Sequence, residues 1–208
     1  MNDHLIISLN RTYGSGGREL GRILSEQMGL HVYNKDIVEM AADKSGIRKE
    51  YFERVDEKPT DSFLYTLATN ALSFASSVNP YDNTLSSEKL FNQQADVIRE
   101  IADREDCIII GRCAGHILRE MPRCVRIYLT ASMDYRIERV MGYENCDRQQ
   151  AEKSIKSMDK RRENYFGYYT GKEWDACSTY DLSIDTSVIG LEGAAALIRE
   201  YIRIRFGE

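Results

Sequence analysis

The chain has 208 residues, 42% of them hydrophobic and 29% charged, with 33 acidic side chains against 28 basic ones and a formal net charge of −5. That length supports one well-buried core over residues 1–208 without requiring a second domain, and the composition is that of a globular chain. A negative balance offers no global field for nucleic acid, so any anion site must be local, built from particular arginines, lysines and backbone N–H groups.

The elements read in order as strands alternating with helices. Leu5–Leu9 is a short apolar run, and Leu20, Ile23, Leu24 and Met28 then fall on one stripe of a 3.6-residue period that Gly29 closes. His31-Val32-Tyr33 predicts a second strand, and Ile37, Val38, Ala41 and Ala42 a second helix ended by Gly46. Residues 47–86 are less regular, with Pro59, Pro80 and a Ser/Asn/Asp-rich tail, although 62–75 fits a helix. Ser86 or Ser87 caps a helix with the stripe Leu90, Phe91, Gln94, Ile98, Ile101 and Ala102. The unbroken run Cys107-Ile108-Ile109-Ile110 suits a strand covered on both faces. Val125, Ile127 and Leu129 give another strand, followed by a helix capped by Ser132 and stopped by Gly142. Asp147-x-x-Gln150 is a capping box opening a long polar helix to about Phe166. Leu182 and Ile184 mark a last strand, and Ala194, Leu197, Ile198, Tyr201 and Ile202 a closing amphipathic helix. Such alternation predicts a three-layer α/β fold with a mostly parallel sheet and helices on both faces, because each parallel crossover needs a helix. Ligands then collect beyond the carboxyl ends of the strands.

No apolar run approaches the ~20 residues of a membrane span, and the N-terminus lacks a basic stretch followed by a long apolar one, which predicts a cytoplasmic protein. Cys107, Cys113, Cys124, Cys146 and Cys177 include no CxxC pair, so they favour neither a disulfide framework nor zinc, and most read as small core residues.

Chemistry concentrates in Arg11-Thr12-Tyr13-Gly14-Ser15-Gly16-Gly17-Arg18-Glu19. Three glycines in four positions permit φ > 0 and close backbone approach, and the free N–H groups of the following helix favour an anion. Against GxxxxGK[ST], aligning Gly16 with the last glycine puts Arg11 on the first glycine, Gly17 on the lysine and Arg18 on the Ser/Thr. The frame Gly16-x-x-x-x-Gly21-Arg22 is rejected because it lies inside the helix with Ile23 where a hydroxyl is needed. A dinucleotide frame, Gly14-x-Gly16-x-x-Glu19, lacks its third glycine, and the second strand closes on Asn34, with Asp36 the nearest acid. Arg18 or Arg11 can place a guanidinium on the β/γ-phosphates in place of the lysine. Ser15 or Glu19 can take the part of the Mg²⁺-binding hydroxyl. The competing structural reading is a glycine turn that merely enters a helix.

Two further groups stand out. Arg112, in Gly111-Arg112-Cys113-Ala114-Gly115, sits at the carboxyl edge of the third strand, where it is either a surface ion pair or a substrate clamp. Asp159-x-x-Arg162 lies one turn apart on the polar helix, among Lys156, Lys160 and Arg161, either as a binding pair or as a solvated face with i,i+3 ion pairs.

Taken together, "IISLNRTYGSGGREL", "VYNKDIV", "IIIGRCAGHIL", "VRIYLTASMDYRIERVM", "DKRRENY" and "YDLSIDTS" resemble the cytidylate kinase-like family of P-loop nucleoside monophosphate kinases over nearly the whole chain. The resemblance implies a P-loop NTPase-type fold with a five-stranded sheet, an acceptor-binding excursion at about 35–86 and a lid helix within about 143–172. It implies transfer of the γ-phosphate of ATP, with Mg²⁺, to a small nucleoside monophosphate, CMP or dCMP first. It places Arg11, Gly14, Ser15, Gly16, Gly17, Arg18 and Glu19 at the ATP site, and Arg112, Asp159, Arg161 and Arg162 on the acceptor and its phosphates. Lys35 and Asp36 fall in the acceptor-contacting stretch after the second strand. Arg18, Arg112 and Arg162 are the expected catalytic cations, and neither nucleic acid nor membrane is an expected partner. Cys113 stands where the family has Asp, and Gly17-Arg18-Glu19 where it has Lys-Gly-Thr. These departures keep two alternatives open: a kinase of another small acceptor, or a non-catalytic nucleotide-binding regulator.

Overall fold

In a computed structural model, residues 3–55 and 87–207 are described. Strands β1 (Ile6–Arg11), β2 (His31–Tyr33), β3 (Cys107–Ile110), β4 (Cys124–Thr130) and β5 (Leu182–Asp185) form one sheet in the order β2-β3-β1-β4-β5. Every pairing is parallel, with Ile6 opposite both Cys107 and Cys124, and Ile127 opposite Leu182. The "mostly parallel" expectation is met in full.

Strand alternation divides the core in two. Leu5, Ile7 and Leu9 of β1 and its lead-in, Ile108 and Ile110 of β3, and Val125, Ile127 and Leu129 of β4 turn to one face. There they meet Leu20, Ile23 and Leu24 of α1 (Gly17–Met28) and Ala194, Ala195, Ile198 and Ile202 of α8 (Thr186–Phe206). On the opposite face Ile6, Cys107, Ile109 and Tyr128 meet α2 (Asp36–Ser45), α3 (Lys49–Val55), α4 (Ser87–Arg104), the short α5 (Ala114–Ile117) and the end of α7 (Arg148–Thr170). A satellite cluster of Ile137, Val140, Ala151 and Ile155 joins α6 (Met133–Glu144) to α7. With both faces covered, β3 is buried at every residue, as its unbroken apolar run requires.

Helix ends follow the chemistry of their caps. Gly29 turns to φ 69° and its N–H reaches the Ser25 carbonyl at 2.8 Å, while Gly46 turns to φ 68° after α2. Asp147 and Gln150 form the reciprocal capping box, at 2.8 and 3.0 Å. Three boundaries differ from the sequence reading. Gly142 does not stop α6: the helix runs to Glu144 and Asn145 takes the left-handed turn, because Tyr13 anchors that last turn through an edge contact with Tyr143 and a hydroxyl bond to Glu144. α7 continues beyond Phe166 to Thr170, held by Tyr169 stacked on Phe91 of α4 at 4.0 Å between ring centres. α8 starts earlier, at Thr186, and bends at Gly190. Cys107, Cys113 and Cys124 are buried, Cys146 is half-buried and Cys177 is exposed. The helix expected at 62–75 lies outside the described residues. Among the described residues, no helix is long and apolar enough to cross a membrane.

Candidate active site

The loop between β1 and α1 lies at the centre of the sheet's carboxyl edge. Gly14 (φ 86°) and Gly16 (φ 90°) occupy the left-handed region, where a side chain is strained, and one at either position would also crowd a neighbour. A Cβ on Gly14 would stand 3.0 Å from the Arg136 Cβ and carbonyl, and one on Gly16 would stand 2.6 Å from Leu191. Ser15 is fully buried, and its hydroxyl donates to the Thr12 carbonyl at 2.8 Å. The Thr186 hydroxyl, also buried, reaches the Ser15 carbonyl at 2.8 Å and the Thr130 carbonyl at 3.1 Å, tying the loop to the ends of β4 and β5. Gly16 caps α1 without a side chain, so the first N–H groups of the helix and its positive dipole end are left for a ligand.

Over this loop lies a cavity of about 330 Å³ lined by Arg11, Arg18, Arg139 and Arg162, with Glu19 its one carboxylate among the described residues. The position aligned with the missing lysine is explained by packing: a Cβ on Gly17 would lie 3.0 Å from Cγ of Arg11 and 3.3 Å from its Cβ. The aliphatic stem of Arg11, itself buried, occupies the space from which a lysine side chain would start. Arg18 is exposed on the first turn of α1.

α6 and α7 hold the loop from above. Asp159 accepts the Tyr13 N–H at 2.7 Å and pairs with Arg136 at 2.5 Å, while Arg136 also donates to the Tyr13 carbonyl at 3.3 Å. One peptide residue is thus gripped at both its donor and its acceptor. Arg162 is buried, donates to the Arg11 carbonyl at 3.1 Å and places its guanidinium 5.5 Å from the Tyr13 ring centre. Burial, together with its hydrogen bond to Glu144, raises the Tyr13 phenol far above its ordinary range and keeps it a neutral donor.

The second group lies one strand over. Gly111, Arg112 and Cys113 all have positive φ (80°, 55° and 57°), an unusual run for two residues with side chains. The turn carries Arg112 back under β2, where its Nε donates to the Asn34 carbonyl at 2.8 Å and Nη1 to Gln94 of α4 at 2.9 Å. Arg112 and Arg162 line one small pocket with Asn10, Tyr165 and Trp174. Asn10 is fixed by the Trp174 indole N–H at 3.0 Å and by its own amide bond to the Tyr180 hydroxyl at 2.8 Å.

The sequence-predicted residues therefore divide. Arg11, Gly14, Gly16, Gly17, Arg18, Glu19 and Arg162 converge on the loop cavity, and Arg112 meets Arg162 beside it. Ser15 supports the loop from within, and its hydroxyl, turned to Thr12, does not face the cavity. Lys35 and Asp36 are exposed at the start of α2, and Arg161 lines an adjoining groove with Tyr13 and Glu144. Asp159 is engaged by the loop itself. Arg136, Arg139, Asn10 and Thr186 were missed. The i,i+3 pair of arginines on one face of α6 was the available signal for the first two. For Mg²⁺ the donor set fits: Glu19 offers one carboxylate to the arginine-lined loop cavity, and this ion is commonly held by one or two carboxylates plus phosphate oxygens.

A glycine loop leading from the central strand of an all-parallel sheet into a helix, under converging arginines, defines a P-loop kinase fold. Solved structures agree: shikimate kinase from Acinetobacter baumannii superposes with a TM-score of 0.52 at 13% identity, covering 100% of this chain and 97% of that one. An uncharacterized protein from Eubacterium ventriosum reaches a TM-score of 0.70 at 24% identity, covering 96% and 98%. The chain belongs to the cytidylate kinase-like family, which matches residues 6–188. Among curated relatives, cytidylate kinase of Methanopyrus kandleri is 27% identical over 88% of this chain and 85% of its own length. That of Pyrococcus horikoshii is 26% identical over 96% and 89%.

Proposed function

We propose that the protein transfers the γ-phosphate of ATP to a nucleoside monophosphate, CMP or dCMP first, using arginine in place of the phosphate-loop lysine. The single observation that carries this reading is the packing of the Arg11 stem across Gly17, the lysine position, in a cavity that Arg11 itself lines. Decay of the motif would remove a cation, whereas here the cavity retains four.

In this reading the loop N–H groups and the α1 terminus cradle the β- and γ-phosphates, with Arg11 and Arg18 completing the cradle. Charge spreads over the equatorial oxygens in the transition state, and preorganised donors lower its energy because they need no rearrangement. Arg162 stands between the ATP cavity and the pocket of Arg112, which suits a cation bridging donor and acceptor phosphates. Glu19 would hold Mg²⁺, which when bound would supply charge neutralisation for the transfer. The acceptor is already an anionic phosphate, so no general base is required. Arg112 holds the acceptor phosphate, Lys35 and Asp36 belong to the acceptor excursion at about 35–86, and residues at about 143–172, with Arg161, act as the lid that excludes water.

CMP is preferred because the curated relatives are cytidylate kinases. A second reading, a kinase of another small acceptor, is favoured by one observation: Asp159, aligned with a base-reading acid, is committed to Tyr13 and Arg136. ADP release from Mg·ATP across a panel of nucleoside monophosphates separates them. Turnover with CMP and dCMP is expected, and Arg112→Ala should raise the acceptor KM roughly tenfold or more, the scale of lost charge-assisted hydrogen bonds. Nucleotide binding without turnover on any acceptor would favour a regulatory protein.

A further inference from the structure

The loop cavity contains one ion pair that neither holds the loop nor touches the acceptor pocket. Glu19, in the first turn of α1, meets Arg139 of α6 at 2.8 Å, and both line the cavity. The pair spans two elements, and its side chains stay partly open to solvent, at 47% and 25% exposure. Such a pair is worth little net energy, so it parts readily when better partners arrive. The Nε of Arg139 is buried with no hydrogen-bond partner, and its guanidinium is 5.6 Å from the Tyr135 ring centre. The Nε donor is therefore unspent while Nη2 is held by a carboxylate.

We propose that Glu19 and Arg139 exchange partners when metal-bound triphosphate docks: the carboxylate turns to the divalent cation and the guanidinium to a phosphate oxygen. The inference rests on the reading of this cavity as a triphosphate site. Its physical basis is charge matching. A triphosphate entering without metal meets the carboxylate of Glu19 as a like charge and must compete with it for Arg139. A triphosphate entering with Mg²⁺ gives the carboxylate a hard cation that prefers oxygen ligands and frees the guanidinium at the same time. Glu19 thus acts as a filter: it weakens metal-free nucleotide and strengthens the metal complex, the work that a neutral hydroxyl at this position would do only in part.

Titration calorimetry with ATP, without acceptor, in Mg²⁺ and in EDTA tests this on the full chain. Wild type should bind the Mg²⁺ complex at least roughly tenfold more tightly than metal-free ATP, about 1.4 kcal/mol. Glu19→Gln should bind metal-free ATP roughly threefold or more tighter than wild type and lose most of the gain from Mg²⁺. Arg139→Ala should weaken both forms while retaining that gain, and Arg139→Lys should recover part of the loss. Circular dichroism and the melting temperature confirm that each variant is folded. A Glu19→Gln protein that keeps the full Mg²⁺ gain, or binds metal-free ATP no better than wild type, overturns the exchange while leaving the triphosphate site standing. Absence of ATP binding in every protein and condition overturns both.

Discussion

Gly17 and Arg11 carry the account at the scale of single residues. A Cβ at the lysine position would crowd the Arg11 stem packed over it, so the two differences from the common loop meet in one contact. Arg11→Ala should lower kcat/KM for ATP roughly 100-fold, the scale of one lost preorganised donor, with Arg11→Lys restoring part of it. Arg18→Ala should cost less, roughly threefold to tenfold, because an exposed guanidinium is screened by solvent. Steady-state kinetics of the three variants checks both statements. Thr186→Val removes the hydroxyl that serves the buried Ser15 carbonyl and the part-buried Thr130 carbonyl, and should cost about 1–3 kcal/mol in urea unfolding, together with weaker nucleotide binding. Arg11 and Arg18 are both candidate stand-ins in the sequence, and the choice proposed between them turns on which stem lies over Gly17. That is a tertiary fact that spacing along the chain does not encode.

Among elements, the decisive contacts are those of α6 and α7 with the loop. Asp159 and Arg136 are 23 positions apart and meet only because the two helices pack together around Ile137, Val140, Ala151 and Ile155. A motif reading of Asp159-x-x-Arg162 singled out the two residues and could not see that the acid faces the loop. Helix ends were legible where a cap is written locally, as at Gly29, Gly46 and the Asp147–Gln150 box. They were misread at Gly142, where the anchor is Tyr13, more than 100 positions away. A separate tie joins β4 to the segment before β5: Asp181 accepts from the Arg126 side chain at 2.8 and 3.1 Å and from its backbone at 2.7 Å. Burial alone would raise this carboxyl, but those bonds outweigh it and hold it below the ordinary aspartate range. A depressed folded-state pKa gives stability that is complete above the unfolded value, about 3.9, and is lost as pH falls through the folded one. Asp181→Asn should therefore cost about 1–3 kcal/mol at neutral pH. It should also flatten the fall of stability below about pH 4, as measured by urea denaturation across pH.

At the scale of the whole molecule, the sheet order β2-β3-β1-β4-β5 explains why one edge gathers the chemistry. The glycine loop leaves central β1, Arg112 leaves β3 on one side, and Thr186 follows β5 beyond β4 on the other. The alternation of strands and helices, the fully buried β3 and the residues at strand ends were all visible in the sequence, because apolar periodicity reports burial directly. Strand order was not, since it depends on pairings between distant segments that composition does not specify. A ligand that binds only the folded chain must stabilise it, so Mg·ATP at 100 times its dissociation constant should add about 2.7 kcal/mol, seen as a rise in melting temperature. The most direct measurement of the central claim is ADP release from Mg·ATP with CMP as acceptor, made on wild type and Arg11→Ala side by side. CMP-dependent turnover that falls roughly 100-fold in the variant is the predicted result. Equal rates in the two proteins, or no turnover with any nucleoside monophosphate, would contradict it.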